Sequence, residues 1–138
     1  MSNSRQATNV AQIQKLYNAF ATGDVPTVLG GFSNDIVWNE AENFIYADGN
    51  PYTGPDAILS GVFMRLGSEW DGFNLTGLAF HAVDEDGVLV TGRYQGKFKA
   101  TGKDLDAQFA HVWKLKGSLA VSFQQYTDTL QASRVATA

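Results

Sequence analysis

The chain has 138 residues, no cysteine, and 10 basic against 14 acidic side chains, for a net charge of −4. An apolar share of 44% and an aromatic share of 12% can build a real core, which excludes disorder as the general description, and the length suits one domain. Without cysteine there is no disulfide, thiolate nucleophile or iron–sulfur ligand, and an acidic chain lacks the clustered Lys and Arg of nonspecific nucleic-acid binders. No apolar run approaches a membrane span, and the start (Met1-Ser-Asn-Ser-Arg-Gln) has no hydrophobic signal core. The expectation is a cytoplasmic domain with no nucleic-acid and no membrane partner.

Residues 1–7 are small and polar and read as a frayed start, residues 8–130 as a single domain, and residues 131–138 as a flexible tail. Asn9 can cap the first helix with Gln12 as its capping-box partner, and Val10, Ile13, Leu16, Tyr17 and Phe20 form one apolar stripe. Gly23 stops that helix. Asp24 caps a short second one over about residues 25–32, with Pro26 tolerated in its first turn. Residues 36–40 read as a strand. Residues 41–54 form a loop whose aromatics (Phe44, Tyr46, Tyr52) suggest that it folds over something as a lid. Pro55 opens a third helix over residues 55–66, with Ile58, Leu59, Val62, Phe63 and Leu66 on one face.

From Trp70 the period changes to two. Strands are predicted over residues 73–83, 88–99, 105–115 and 119–130, with a bulge near Gly77 and turns at 84–87, 101–103 and 116–118. Helices first and an antiparallel meander afterwards is the α+β pattern. Gly77, Gly92 and Gly96 let the sheet bend, and three N-terminal helices on its concave face leave a cone-shaped space.

Glu40 ends the first strand on the face of Trp38. In a dry pocket its pKa rises, which suits a general acid or base; the alternative is a solvated strand end beside Glu42 and Asn43. His111 shares a bulky face with Phe109, Trp113 and Leu115. On the concave side it would lie near Gln124 or Gln125 and partner Glu40; on the convex side it would sit in a sheet-to-sheet dimer interface. Tyr17, Tyr46, Tyr52, Tyr94 and Tyr126 can donate to a ligand carbonyl or simply pack, and Gly92 leaves room beside Tyr94. Trp38, Val62, Leu66, Phe123 and Gln125 complete the expected substrate-binding set. No Gly-rich segment has the strand–GxGxxG–helix context, and His81 has no ligand spacing to another metal-binding side chain, so no cofactor and no metal are expected.

The stretches Leu16-Tyr17-Asn18-Ala19-Phe20-Ala21-Thr22-Gly23-Asp24, Phe32-Ser33-Asn34-Asp35-Ile36-Val37-Trp38 and Tyr52-Thr53-Gly54-Pro55-Asp56-Ala57-Ile58 carry a resemblance. So do Gly92-Arg93-Tyr94-Gln95-Gly96, Ala110-His111-Val112-Trp113 and Gln125-Tyr126-Thr127-Asp128. Together, over about residues 8–130, the chain resembles the NTF2-like superfamily, and more narrowly its SnoaL-like and ketosteroid-isomerase-related members. The resemblance implies an NTF2-like cone: three N-terminal helices on the concave face of a strongly bent mixed or antiparallel sheet. It also implies a homodimer through the convex face. The isomerases' base position, eight residues after Phe32, falls on Glu40. Their oxyanion-donor positions fall on Leu16, next to Tyr17, and on Ala110, next to His111. The cyclases' His–Asp pair falls on His111 and Gln125. Two functions remain open: a cofactor-independent acid–base isomerase or cyclase acting on a small, largely apolar carbonyl compound, and a non-catalytic ligand-binding or accessory homodimer.

Overall fold

The computed structural model describes residues 2–138. The elements are α1 (Ser2–Ala21), α2 (Val25–Gly30), β1 (Phe32–Asn39), a 3₁₀ turn (Ala47–Gly49), β2 (Tyr52–Thr53), α3 (Pro55–Ile58), a π-helical turn (Leu59–Phe63), α4 (Met64–Glu69), β3 (Trp70–Val83), β4 (Gly87–Phe98), β5 (Asp104–Lys116), β6 (Leu119–Thr127) and α5 (Thr129–Ala136). One sheet runs in the order β2-β1-β6-β5-β4-β3. The β1–β6 pair is parallel and the others are antiparallel, so the sheet is mixed.

The strand period decides which side is dry. On β5, Leu105, Ala107, Phe109, His111, Trp113 and Leu115 are buried, while the residues between them are exposed or half-buried. Register carries that face across the sheet. Trp38 pairs Phe123, which pairs Trp113, which pairs Val88; Gln125 pairs His111, which pairs Val90. The α1 stripe of Ile13, Leu16 and Tyr17 is buried against these rows, with Phe20 half-buried at its end. The sheet bends at β3, where the register slips between Thr76 and Ala79 around Gly77, whose φ of +63° favours glycine.

Several boundaries differ from the expectations, among them β1, which begins at Phe32 rather than at residue 36. Helix α1 begins at Ser2 rather than at Asn9, with Met1 outside the described residues. Asn9 is therefore interior, and its amide donates to the Glu85 carbonyl at 2.9 Å instead of capping. The last strand stops at Thr127, because Asp128 accepts from the Gln131 N–H at 3.0 Å and starts α5. Ala132 and Val135 bury that helix, so residues 131–138 are mostly helical and not a loose tail. No helix among the described residues is long and apolar enough to cross a membrane.

Candidate functional site

Where α1, the π-helical turn and α4 close over the concave sheet, a cavity of about 70 Å³ remains. That space takes a few waters or a small organic group. Its wall contains no lysine or arginine. The π-helical turn supplies Val62 and Phe63, and α4 supplies Leu66, to one wall of the cavity. Phe63, Leu66, Phe20 and Phe73 are only half-buried, whereas Trp38, Phe44, Tyr94, Trp113 and Phe123 are buried.

Glu40 follows directly on β1 and is 3% exposed. The Trp38 indole Nε1–H donates to its Oε2 at 3.1 Å, and the Asn50 side chain clamps its backbone, accepting from its N–H at 2.9 Å and donating to its carbonyl at 2.8 Å. No group among the described residues hydrogen-bonds to Oε1. Since no fully enclosed side-chain oxygen lacks a partner among the described residues, that oxygen opens to the cavity that Glu40 lines. Burial pushes the carboxyl pKa up to about 8, against smaller lowering effects from the Trp38 hydrogen bond and the Arg65 charge.

His111, whose face the sequence left open, lies on the concave side opposite Gln125. It makes no hydrogen bond to Glu40; both ring nitrogens are bonded to tyrosines. Tyr17 Oη lies 2.5 Å from Nδ1 and Tyr94 Oη 2.5 Å from Nε2. The Trp113 Nε1–H donates to Tyr17 Oη at 2.8 Å, and the Gln125 amide donates to Tyr94 Oη at 2.9 Å. The Phe109 ring stacks on the imidazole at 4.1 Å between centroids. Burial lowers the His111 pKa to about 3 and raises those of both tyrosines, so the whole chain of groups is neutral at ordinary pH.

Of the expected site residues, the structure brings Glu40, His111, Tyr17, Trp38, Val62, Leu66, Tyr94, Phe123 and Gln125 to one cavity. Tyr46, Tyr52 and Tyr126 are corrections: none lines it, and Tyr126 is 56% exposed. The Tyr46 hydroxyl donates to Glu69 at 2.5 Å and accepts from Trp70 Nε1–H at 3.0 Å, with the Arg65 guanidinium over its ring. Tyr52 donates to the Tyr46 carbonyl at 2.7 Å, its ring lying between Gly49 and Gly61, where a Cβ on either glycine would come within 2.3 Å or 2.1 Å of it. The 41–54 loop is thus anchored against the π-helical turn and α4, and within the loop Phe44 alone lines the cavity. Phe44, Phe63, Phe73, Leu75, Trp113, Leu16, Phe20 and Val28 also line the cavity and are not among the residues expected from the sequence. Phe63 was legible as the helical neighbour of Val62 and Leu66, and Trp113 as the strand neighbour of His111. Among the described residues there is no group of three side chains able to hold a metal.

The family model of the SnoaL-like domain matches residues 13–123. An NTF2-like protein from Burkholderia thailandensis is 33% identical and superposes with a TM-score of 0.88, covering 94% of this chain and 98% of that one. Two further structures are similar in fold alone. One, from Xanthomonas campestris pv. campestris, bears the name of a candidate polyketide cyclase (15% identity, TM-score 0.84, 96% and 99% covered). The other, from Catenulispora acidiphila, has a ketosteroid-isomerase-like fold and was solved with trimethylamine (18% identity, TM-score 0.74, 91% and 91% covered). No curated protein matches by sequence. With most of its length inside the family model and a cone closed over the matching strands, the chain belongs to the SnoaL-like domain family and has the NTF2-like fold.

Proposed function

We propose that the chain is a cofactor-independent acid–base enzyme of the isomerase or cyclase type, acting on a small, largely apolar carbonyl compound. The observation that carries this reading is Glu40: a carboxyl group buried among aromatic rings, with one oxygen held by Trp38 and the other open to the cavity. With a pKa of about 8 it is mainly a carboxylic acid at neutral pH, with about a tenth ionised. The ionised form accepts a proton from the carbon next to the carbonyl, and the acid form returns it. The electron pair moves onto the carbonyl oxygen. A hydroxyl of Tyr94 or Tyr17 stabilises that developing negative charge by a hydrogen bond in a site with little water to compete. A wall without lysine or arginine suits a neutral ligand.

The test is solvent deuterium exchange into cyclohexanone followed by NMR. Wild-type protein is expected to accelerate exchange beside the carbonyl, with Glu40→Gln losing about a hundredfold or more. No acceleration over buffer, or an undiminished rate in Glu40→Gln, overturns the proposal. A second reading is a binding or accessory homodimer. It draws on the aromatic, weakly polar wall, which fits a ligand without requiring chemistry. It requires cyclohexanone to bind without exchange.

A further inference from the structure

We propose that Tyr17, His111 and Tyr94 form one neutral hydrogen-bonded relay that leaves a single hydroxyl hydrogen for the cavity, the imidazole tautomer deciding which tyrosine presents it. Both ends of the relay are closed by groups that can only donate to it. The Trp113 indole has no acceptor, and its N–H points at Tyr17 Oη. The Gln125 amide is fixed in orientation because its Oε1 accepts from the Ala41 N–H at 3.0 Å, so its NH₂ faces Tyr94 Oη. Between these caps lie two hydroxyls and one neutral imidazole, which hold three hydrogens. The two links, Tyr17 to Nδ1 and Tyr94 to Nε2, use one hydrogen each. One hydrogen is left over. It has no other protein partner among the described residues, and both tyrosines line the cavity.

Two arrangements satisfy the count. With hydrogen on Nε2, Tyr17 donates to Nδ1, Tyr94 accepts from both the imidazole and Gln125, and the Tyr94 hydrogen faces the cavity. With hydrogen on Nδ1, Tyr94 donates to Nε2, Tyr17 accepts from both the imidazole and Trp113, and the Tyr17 hydrogen faces the cavity. One arrangement converts to the other by a balanced step. A proton enters at one hydroxyl, each link passes one along, and a proton leaves at the other hydroxyl, with no residue left charged. His111 is therefore a positioning residue that acts through the tyrosines, and a ligand here must offer a hydrogen-bond acceptor. Only the destination of the spare hydrogen rests on the proposed function; the relay is a property of the unliganded protein.

The experiment is nitrogen-15 NMR of histidine-labelled protein at neutral pH, with exposed His81 as the internal reference. Wild type is expected to show His111 as a neutral ring, one nitrogen protonated and the other bare. A buried N–H without a partner is rarer than an idle acceptor. Tyr17→Phe should therefore hold the hydrogen on Nε2, and Tyr94→Phe should hold it on Nδ1. Cyclohexanone should shift the wild-type tautomer ratio, whereas methylenecyclohexane, of like shape but without the oxygen, should not. A charged imidazolium in wild type overturns the relay without any variant, as does one and the same tautomer in both variants. If a variant fails to fold, the wild-type ring and its response to the two probes decide. Failure of exchange catalysis with the tautomer pattern intact removes the proposed function and leaves the relay standing.

Discussion

Gln125 donates its side-chain amide to the Tyr94 hydroxyl at 2.9 Å, and the oxygen of the same amide accepts from the N–H of Ala41, the residue after Glu40, at 3.0 Å. One neutral side chain thus ties the backbone beside the carboxyl to the hydroxyl chain across the cavity. Gln125 occupies the position where the cyclase resemblance would put a carboxylate. A carboxylate could accept from Ala41 but could not donate to Tyr94.

Replacing Gln125 by Met keeps the volume and removes both bonds, leaving a buried N–H and a buried hydroxyl short of a partner. The expected cost is about 1–3 kcal/mol, read as a lower urea midpoint with an unchanged slope. A midpoint equal to wild type would mean that the amide does not bridge the two groups.

The Glu40 carboxyl makes stability depend on pH in a predictable direction. Its folded pKa of about 8 lies above the ordinary value of 4.5, so between these limits the folded protein holds more protons than the unfolded chain. Stability therefore falls as pH rises through that window, by about 1.4 kcal/mol per pH unit at most. His111 works the other way: its folded pKa of about 3 lies below 6.5, so its contribution is lost as pH falls from 6.5 towards 3. The two nearly cancel between 4.5 and 6.5. Above that only the Glu40 effect remains. Denaturation of Glu40→Gln and wild type in parallel should give a stability difference in favour of the variant that grows from pH 5 to pH 8. A constant difference would place the carboxyl in water.

Trp38 controls the same group at shorter range. Its indole stacks on Phe123 at 3.7 Å between centroids, and its Nε1–H donates to Oε2 of Glu40. Trp38→Phe retains a ring in the stack and removes the donor that favours the ionised form. The Glu40 pKa should then rise above that of wild type, observed by NMR titration of its carboxyl carbon. A fall would mean that water has entered where the indole was.

How much of this was legible depended on whether local pattern or distant contact decides a residue's fate. The stripe through Ile13, Leu16 and Tyr17, and the alternation through Phe109, His111 and Trp113, reveal their buried faces because a fixed period repeats. Period alone does not say which side of a sheet is concave; the side of His111 is set by its contacts with Tyr17, Tyr94 and Gln125. Tyr46 and Tyr52 sit in a loop without a period. Their positions follow from partners well along the chain, Glu69, Trp70 and Gly61. The start of α1 at Ser2 and the presence of α5 are not legible for a different reason: small polar residues carry little apolar pattern, and both helices lean on the sheet for their stability.

The convex face supports one last proposal, that of a homodimer. Leu89 pairs Val112, which pairs Gln124, and Thr91 pairs Ala110, which pairs Tyr126. These six side chains make an uncharged patch in mid-sheet, with Tyr126 56% exposed. Charged pairs such as Arg93–Asp106 lie towards its edge. A broad aromatic ring standing on an uncharged sheet face is the sort of group that anchors an interface. Sedimentation equilibrium at micromolar concentration should return a mass near twice 15.0 kDa. Tyr126→Asp, which adds a charge on the face remote from the cavity, should shift the protein to the single-chain mass while leaving the Glu40 titration unmoved. A single-chain mass for wild type would remove the interface from this face, and a dimer that tolerates Tyr126→Asp would move it elsewhere on the molecule.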